Sequence, residues 1–168
     1  RAEVTLTDFG DDRREVKAKL DLTETRLLFA DLKWIKAAGV PGTAQVDLTM
    51  RKERVQAIDS FAVEAGNLEA RGSAQMAPEG KGLTQIVFDR FAYDRNDLNG
   101  VLFPLPKGGW GANFKGASFD LAPTLDDLRM GGPEGDFAER PDTGPDINVT
   151  ANIDRVWLGE RRFLKQVE

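Results

Sequence analysis

Residues 58–68 read Ile-Asp-Ser-Phe-Ala-Val-Glu-Ala-Gly-Asn-Leu, and residues 88–98 read Phe-Asp-Arg-Phe-Ala-Tyr-Asp-Arg-Asn-Asp-Leu. The two stretches align without a gap at an offset of 30 residues, from position 58 to position 88. A looser third copy occupies residues 153–164. Each copy runs apolar, Asp, any residue, apolar, then a polar turn and a last apolar residue. Such repetition is typical of an extended array whose units bury their apolar faces against their neighbours, and it favours a long surface over an enclosed active site.

Apolar and polar residues alternate along most of the chain around these repeats. Successive side chains of a strand point to opposite faces, so each alternating segment predicts a strand with one apolar and one solvated face. The clearest segments are 15–22, 43–50, 67–76 and 147–154, and further strands are predicted at 2–8, 54–64, 83–93, 98–103, 110–121 and 162–167. The short turns between them predict that sequential strands pair. The expected fold is mostly all-β: an antiparallel meander of hairpin repeats that forms a curved, trough-like or sandwich sheet, with one or two short helices.

Two segments depart from the alternation. Residues 24–38 place Leu28, Leu32 and Ile35 at helical spacing, which leaves open a short helix or a strand followed by an irregular connection. Pro123 follows closely after Asp120 and predicts the first turn of a short helix.

The chain is expected to have three parts. Residues 1–130 form a β-repeat region, and residues 131–146, rich in Gly, Pro and Asp, form a flexible loop. Residues 147–168 form the truncated start of a further β-repeat. The alternation already present at the first residues suggests a piece of a longer polypeptide.

Composition excludes several classes of function. The 168 residues include no histidine and no cysteine, which removes Ser-His-Asp and Cys-His catalysis, imidazole or thiolate zinc sites, and disulfides. The net charge is −5, and the basic residues alternate with acidic ones along the strands, so the sequence predicts no basic patch and argues against nucleic acid as a partner. We therefore expect no enzyme, no cofactor and no metal, and no apolar run is long enough to span a membrane as a helix.

The repeated aspartates Asp59, Asp89 and Asp154 could in principle form a ladder of calcium ligands. The simpler interpretation, which we favour, is that each faces solvent or pairs with a neighbouring arginine. The stretch 142–148 only faintly resembles a calcium loop, because it lacks a closing bidentate glutamate. Residues 108–111 are rich in glycine but lack the Lys-Ser/Thr of a phosphate-binding loop.

The large apolar residues are the strongest candidates for a functional surface. They pack as the core of a closed sandwich or barrel, or they line an open groove that must meet something apolar, and the sequence leaves both possibilities open. These candidates are Met50, Ile58, Phe61, Met76, Phe88, Phe91, Phe103, Trp110, Phe114 and Phe119.

Several of these motifs resemble one known family. Residues 34–42, the Ile-Asp-x-Phe hairpins, and Gly109-Trp110 leading into residues 119–125 are similar to recurring elements of AsmA-like proteins of the YhdP type. Residues 153–159 also resemble the start of a further repeat in that family. The resemblance covers roughly residues 14–168, through degenerate β-repeat patterns.

The resemblance implies a function. Such proteins are anchored in the bacterial inner membrane and project a β-groove, similar to that of bridge-like lipid transfer proteins, into the periplasm. This chain would be an internal, non-enzymatic segment without the anchor, and its partners would be phospholipid acyl chains, adjoining repeats and envelope proteins. The alternative from the residues alone is a closed β-sandwich scaffold for protein–protein interaction in the cell envelope.

Overall fold

The computed structural model describes residues 1–29, 33–78, 82–123, 125–126 and 146–167. Within these ranges the chain forms twelve strands. They are β1 (Ala2–Asp8), β2 (Arg13–Asp21), β3 (Leu27–Phe29), β4 (Trp34–Lys36), β5 (Gly42–Arg51), β6 (Arg54–Ala65), β7 (Leu68–Met76), β8 (Leu83–Tyr93), β9 (Asn96–Pro104), β10 (Trp110–Asp120), β11 (Ile147–Trp157) and β12 (Phe163–Val167). The predicted all-β class is confirmed.

Ten strands form one sheet in the order β1-β2-β5-β6-β7-β8-β9-β10-β11-β12, and β3 and β4 form a separate two-stranded sheet. Neighbours in the large sheet are antiparallel, as the meander predicts, except that β10 and β11 run parallel. Parallel neighbours need a crossover of a dozen or more residues, and the 121–146 connection is long enough to provide it. Residues 147–167 therefore continue the same sheet, while residues 131–145 of the predicted loop lie outside the described residues.

The Asp-containing repeat corresponds to a β-bulge. In β6 the register shifts between Ile58 and Phe61, against both β5 and β7. In β8 it shifts between Phe88 and Phe91, against β9. Residues three apart in a regular strand point to opposite faces, but the extra residue of a bulge brings both apolar side chains to the same face. The aspartate and its neighbour then lie on the other face.

The sheet thus has two chemically different faces. The apolar face carries Leu48, Ile58, Phe61, Phe88 and Phe91, as the strand register requires. The charged face carries the alternate residues, most of which are Lys, Arg, Asp, Glu, Thr or Asn.

A small hairpin, β3–β4, covers one end of the apolar face. Its Trp34 is only 4% exposed and packs with Ala65 and Leu68. The indole Nε1 donates a 2.8 Å hydrogen bond to Oδ1 of Asn67 in the β6–β7 turn. The sequence left open a helix or a strand for residues 24–38, and the described part of this segment contains strands. The helical spacing of its apolar residues does not decide the structure, because the packing of Trp34 against the sheet holds the segment as a hairpin.

A buried lysine holds this hairpin in place. Lys36 is 2% exposed. Its Nζ lies 2.7–3.2 Å from four carbonyl oxygens that accept its protons, those of Leu22, Thr23 and Thr25 in the β2–β3 connection and that of Ala37 directly after β4. The ammonium group satisfies carbonyls that would otherwise lack donors.

We expect Lys36→Met to destabilise the protein by about 2 kcal/mol, because methionine fills the same space but leaves the carbonyl oxygens without a donor. Denaturant unfolding of this variant and of Lys19→Met, a change at an exposed lysine on β2, provides the measurement and its control. Equal free energies of unfolding for both variants would contradict the role given to Lys36.

The two central residues of the β5–β6 turn do not suit the backbone conformation that the turn adopts. Lys52 and Glu53 have φ angles of 49° and 62°. Positive φ at both central residues of a two-residue hairpin turn strongly favours Asn-Gly. The double substitution Lys52→Asn/Glu53→Gly, which leaves the net charge unchanged, is expected to stabilise the protein by about 1 kcal/mol. Thermal unfolding should show a higher Tm, and Lys52→Asn alone should give part of the gain; a lower Tm would contradict this assignment of the turn.

Candidate functional site

Three rows of apolar residues cross the sheet on its apolar face, at right angles to the strands. The first row pairs residues of nine successive strands: Leu6, Val16, Leu48, Ile58, Ala74, Ile86, Leu102, Ala112 and Val149. The second consists of Val4, Ala18, Val46, Phe61, Gly72, Phe88, Gly100, Phe114 and Ala151. The third includes Leu20, Ala44, Val63, Ala70, Phe91, Leu98, Gly116 and Ile153. Every position of these rows is occupied by an apolar residue or glycine.

Phenylalanine and glycine alternate in the middle of the second row. An ideal Cβ built on Gly72 would lie 2.9 Å from Cζ of Phe61, and one built on Gly100 would lie 2.7 Å from Cδ1 of Phe114. Each ring therefore lies over the glycine of the adjacent strand, an arrangement known to support glycines within sheets. The glycines leave room for the rings to lie against the sheet.

The aromatic rings form a continuous chain on this face. Phe61 and Phe88 have ring centroids 5.9 Å apart, Phe88 and Phe91 are 5.5 Å apart, and Phe91 and Tyr93 are 5.5 Å apart. Burial in these surroundings raises the pKa of the Tyr93 hydroxyl, with a smaller contribution from the negative charges of Asp94 and Asp120. The tilted and edge-on ring geometries are those that aromatic pairs prefer.

The apolar face is incompletely covered by the described residues. Phe61, Phe88, Phe91 and Phe114 are half-buried, although they lie in the middle strands. Towards the sheet edges, apolar members of the rows become exposed: Val4 by 66%, Leu6 by 60% and Val149 by 56%. The described chain contains no second sheet besides the β3–β4 hairpin.

The two ends of this face differ. At the end near the β6–β7 turn, the β3–β4 hairpin covers it, and a second buried cluster forms around Leu98, Ile153 and Val156. At the opposite end of the face, where β1 ends and β2 begins, Asp8 and Arg14 form an ion pair with an Oδ2–Nε distance of 3.0 Å. The N–H of Gly10 and the guanidinium of Arg14 both lower the pKa of the Asp8 carboxyl.

The large apolar residues that the sequence singled out lie in three different places. Register and alternation place the following on the apolar face: Met50, Ile58, Phe61, Met76, Phe88, Phe91, Trp110 and Phe114. Phe119 packs against the buried cluster of Leu98. Phe103 lies on the opposite, charged face: its partner across the ladder is Gly111, while the neighbouring pair Leu102–Ala112 faces the apolar side.

The charged face is bound together by ion pairs across strands β6 to β9. Arg71 pairs with Glu64 at 3.6 Å and with Glu69. Arg90 pairs with Glu69 at 3.4 Å and with Asp97 at 3.7 Å. Such exposed pairs contribute little stability individually. Their charged groups make this face polar.

The repeated aspartates lie apart, on three different strands. Asp59 accepts a 2.7 Å hydrogen bond from the Thr49 hydroxyl, and Asp59, Asp89 and Asp154 are all exposed. Among the described residues, no three acidic side chains are grouped so as to hold a metal ion. The 142–145 part of the calcium-loop stretch lies outside the described residues.

Beside Pro123, the predicted helical turn is present in its described residues, 122–123 and 125–126. Asp120 Oδ1 accepts the N–H of Ala122 at 3.1 Å and caps the turn. No helix in the described part of the chain has the length and apolarity needed to cross a bilayer.

The chain matches no protein-family model, no curated protein and no solved structure. The similarity to AsmA-like proteins of the YhdP type therefore rests on the sequence motifs alone.

Proposed function

We propose that this chain is a non-enzymatic segment of an AsmA/YhdP-like β-groove, and that its apolar face binds phospholipid acyl chains. One observation carries the proposal: three unbroken apolar rows cross the sheet, the rings at their centre are only half-buried, and row members at the edges (Val4, Leu6 and Val149) are exposed. Leaving so much apolar surface uncovered is costly unless something apolar occupies it.

The dimensions of the rows suit an acyl chain. The second row spans nine strands, or eight spacings of about 4.8 Å, which gives roughly 38 Å. A tail in one leaflet of a bilayer extends about half of the roughly 30 Å hydrocarbon core, so the row is long enough for a whole tail. Burial of a tail contributes at most about 0.8 kcal/mol per methylene.

The chemistry of the rows also favours a hydrocarbon ligand. Their side chains are Leu, Ile, Val, Ala and Phe, which offer no hydrogen bonds that would select one position along a tail. A tail could therefore slide along the face without a large barrier. This property supports transport between the inner and outer membranes of a bacterial envelope, with the chain in the periplasm.

Native mass spectrometry of the purified protein, with lipid extraction from the same sample, tests the proposal. We expect phospholipid to copurify at a near-stoichiometric level, and a hydrophobic dye to bind the native protein after delipidation. A lipid-free protein that binds neither dye nor added phospholipid would overturn it.

A scaffold that recruits an envelope protein by strand addition is the second candidate. It is favoured by the two ends of the sheet, where β1 and β12 each pair on one side only among the described strands. The lipid-free outcome would shift weight to this function. Its own test is crosslinking of an envelope partner at β1 or β12.

A further inference from the structure

The hairpin of β11 and β12 concentrates cations and aromatic rings on the charged face of the sheet. Arg155, Trp157, Phe163 and Lys165, here named the β11–β12 patch, lie side by side. The rings of Trp157 and Phe163 are 5.1 Å apart. The guanidinium of Arg155 lies 5.5 Å from the Trp157 ring and 5.1 Å from the Phe163 ring, and Nζ of Lys165 lies 6.0 Å from the latter.

The register places two like charges opposite each other in this patch. Arg155 and Lys165 are direct partners in the antiparallel pair of β11 and β12. Like charges at such positions repel each other. On the same face Arg71, Arg90 and Arg95 each pair with a carboxylate, whereas neither Arg155 nor Lys165 forms an ion pair with a carboxylate of the described residues. Two like charges at directly opposed positions, without carboxylates to neutralise them, disfavour the local strand pairing, and such unfavourable pairs are typical of binding surfaces.

The surroundings of the patch add positive charge. Arg161 and Arg162 lie exposed in the turn between the two strands. Residues 153–167 contain four cations and two carboxylates, a net charge of +2 (4 − 2), in a chain whose net charge is −5. Arg95 also contacts the Trp157 ring, at 4.9 Å from its centroid, but its charge is paired with Asp120 at 3.4 Å.

We propose that the β11–β12 patch binds the anionic phosphate headgroups of a lipid bilayer surface. Arginine and lysine suit phosphate oxygens, and polybasic segments are attracted to anionic leaflets. Tryptophan and phenylalanine suit the boundary between headgroups and acyl chains. Phe163, on the edge strand, is 40% exposed, so its ring can reach that boundary.

This surface is separate from the apolar face, and the inference does not depend on the proposed function. Trp157 Nε1 donates to Oγ of Ser118, whose partner in β9 is Asp97 on the charged face. The patch and the three apolar rows therefore belong to opposite faces of the sheet. Variants of one face should leave binding at the other unchanged.

Vesicle flotation tests this inference on the whole chain. We expect the protein to float with vesicles that contain phosphatidylglycerol and phosphatidylcholine, at least tenfold more than with vesicles of phosphatidylcholine alone, and to be released by high salt. Arg155→Glu should lower this binding at least tenfold. It should also keep the fold, because it places a glutamate opposite Lys165 and removes the repulsion.

Lys107→Glu is the matched control, because it makes the same change of charge at an exposed residue in the β9–β10 loop. It should reduce binding less than twofold. Equal losses in the two variants, or equal binding to neutral and anionic vesicles, would overturn the inference. Binding of soluble glycerophosphate without flotation would also overturn it, since the patch would then be a site for free phosphates.

Discussion

Replacement of Gly72 by alanine is expected to destabilise the protein by about 3 kcal/mol, the upper part of the range for overpacking a closely packed site. An ideal Cβ at this position would lie 1.9 Å from the carbonyl oxygen of Val87 and 2.9 Å from Cζ of Phe61. The first of these atoms belongs to the backbone of the neighbouring strand, so that relief requires β7 and β8 to separate. The Phe61 ring would also lose its place over the sheet.

Thermal unfolding should show a decrease in Tm of roughly 6–12 °C for Gly72→Ala. Gly159→Ala is the matched control, because its added Cβ would meet nothing closer than 3.9 Å. That variant should unfold near the wild-type temperature. If Gly72→Ala unfolded there too, the close approach of β7 and β8 at this row would be wrong.

Replacement of Phe88 by glutamate is expected to abolish acyl-chain binding, with a loss of at least tenfold in affinity. Phe88 is the central ring of the aromatic chain, in contact with both Phe61 and Phe91. A carboxylate there would have to lose its hydration whenever a tail covered the second row, at a cost of several kcal/mol. An acyl chain bound along the second row would then meet a charged group at the middle of the sheet.

Titration with a fluorescent fatty acid measures this effect. Phe88→Leu keeps an apolar side chain and should retain binding within about threefold, so it separates the loss of apolarity from the loss of the ring. Leu6→Glu adds a second test, because Leu6 is 60% exposed and its substitution should leave the fold intact while weakening binding at the edge of the first row. A folded Phe88→Glu protein with wild-type affinity would contradict the acyl-chain proposal.

The two largest predictions concern the same row for different reasons. Gly72 is needed because the neighbouring backbone and the Phe61 ring leave no room for a side chain. Phe88 is needed because of what its ring offers to a ligand. A lower Tm of the first variant and weaker binding by the second would thus separate the architecture of the sheet from its use.

Much of the fold could be predicted from local pattern. Ten strands of the large sheet lie close to the alternating segments, since a period of two follows directly from strand geometry. The pairing of sequential strands followed from short turns. The helical turn at Pro123 was predictable because proline suits a first helical turn and Asp120 can cap it.

Other features needed the register between strands. Phe103 shares the apolar character of Phe88, yet it lies on the charged face, because a shift of one residue moves a side chain to the other side of a sheet. The bulges explain why Phe88 and Phe91, three residues apart, share one face. The repeated aspartate was visible in the sequence, but its position in the bulge was not.

The basic patch was also hidden from the sequence. Arg155 and Lys165 are separated by Glu160 and by turn residues, so no basic run marks them. Only the antiparallel pairing of β11 with β12 brings the two cations opposite each other beside two aromatic rings.

By itself the sequence determined an all-β chain with one apolar and one charged face, because side-chain alternation is a local property of each strand. It also excluded histidine and cysteine chemistry through composition. The tertiary structure alone decided the parallel pairing of β10 with β11, the alignment of the three apolar rows and the meeting of Arg155 with Lys165. These features depend on which residues of distant strands become partners, and that choice arises from packing and register across the whole sheet rather than from any one segment.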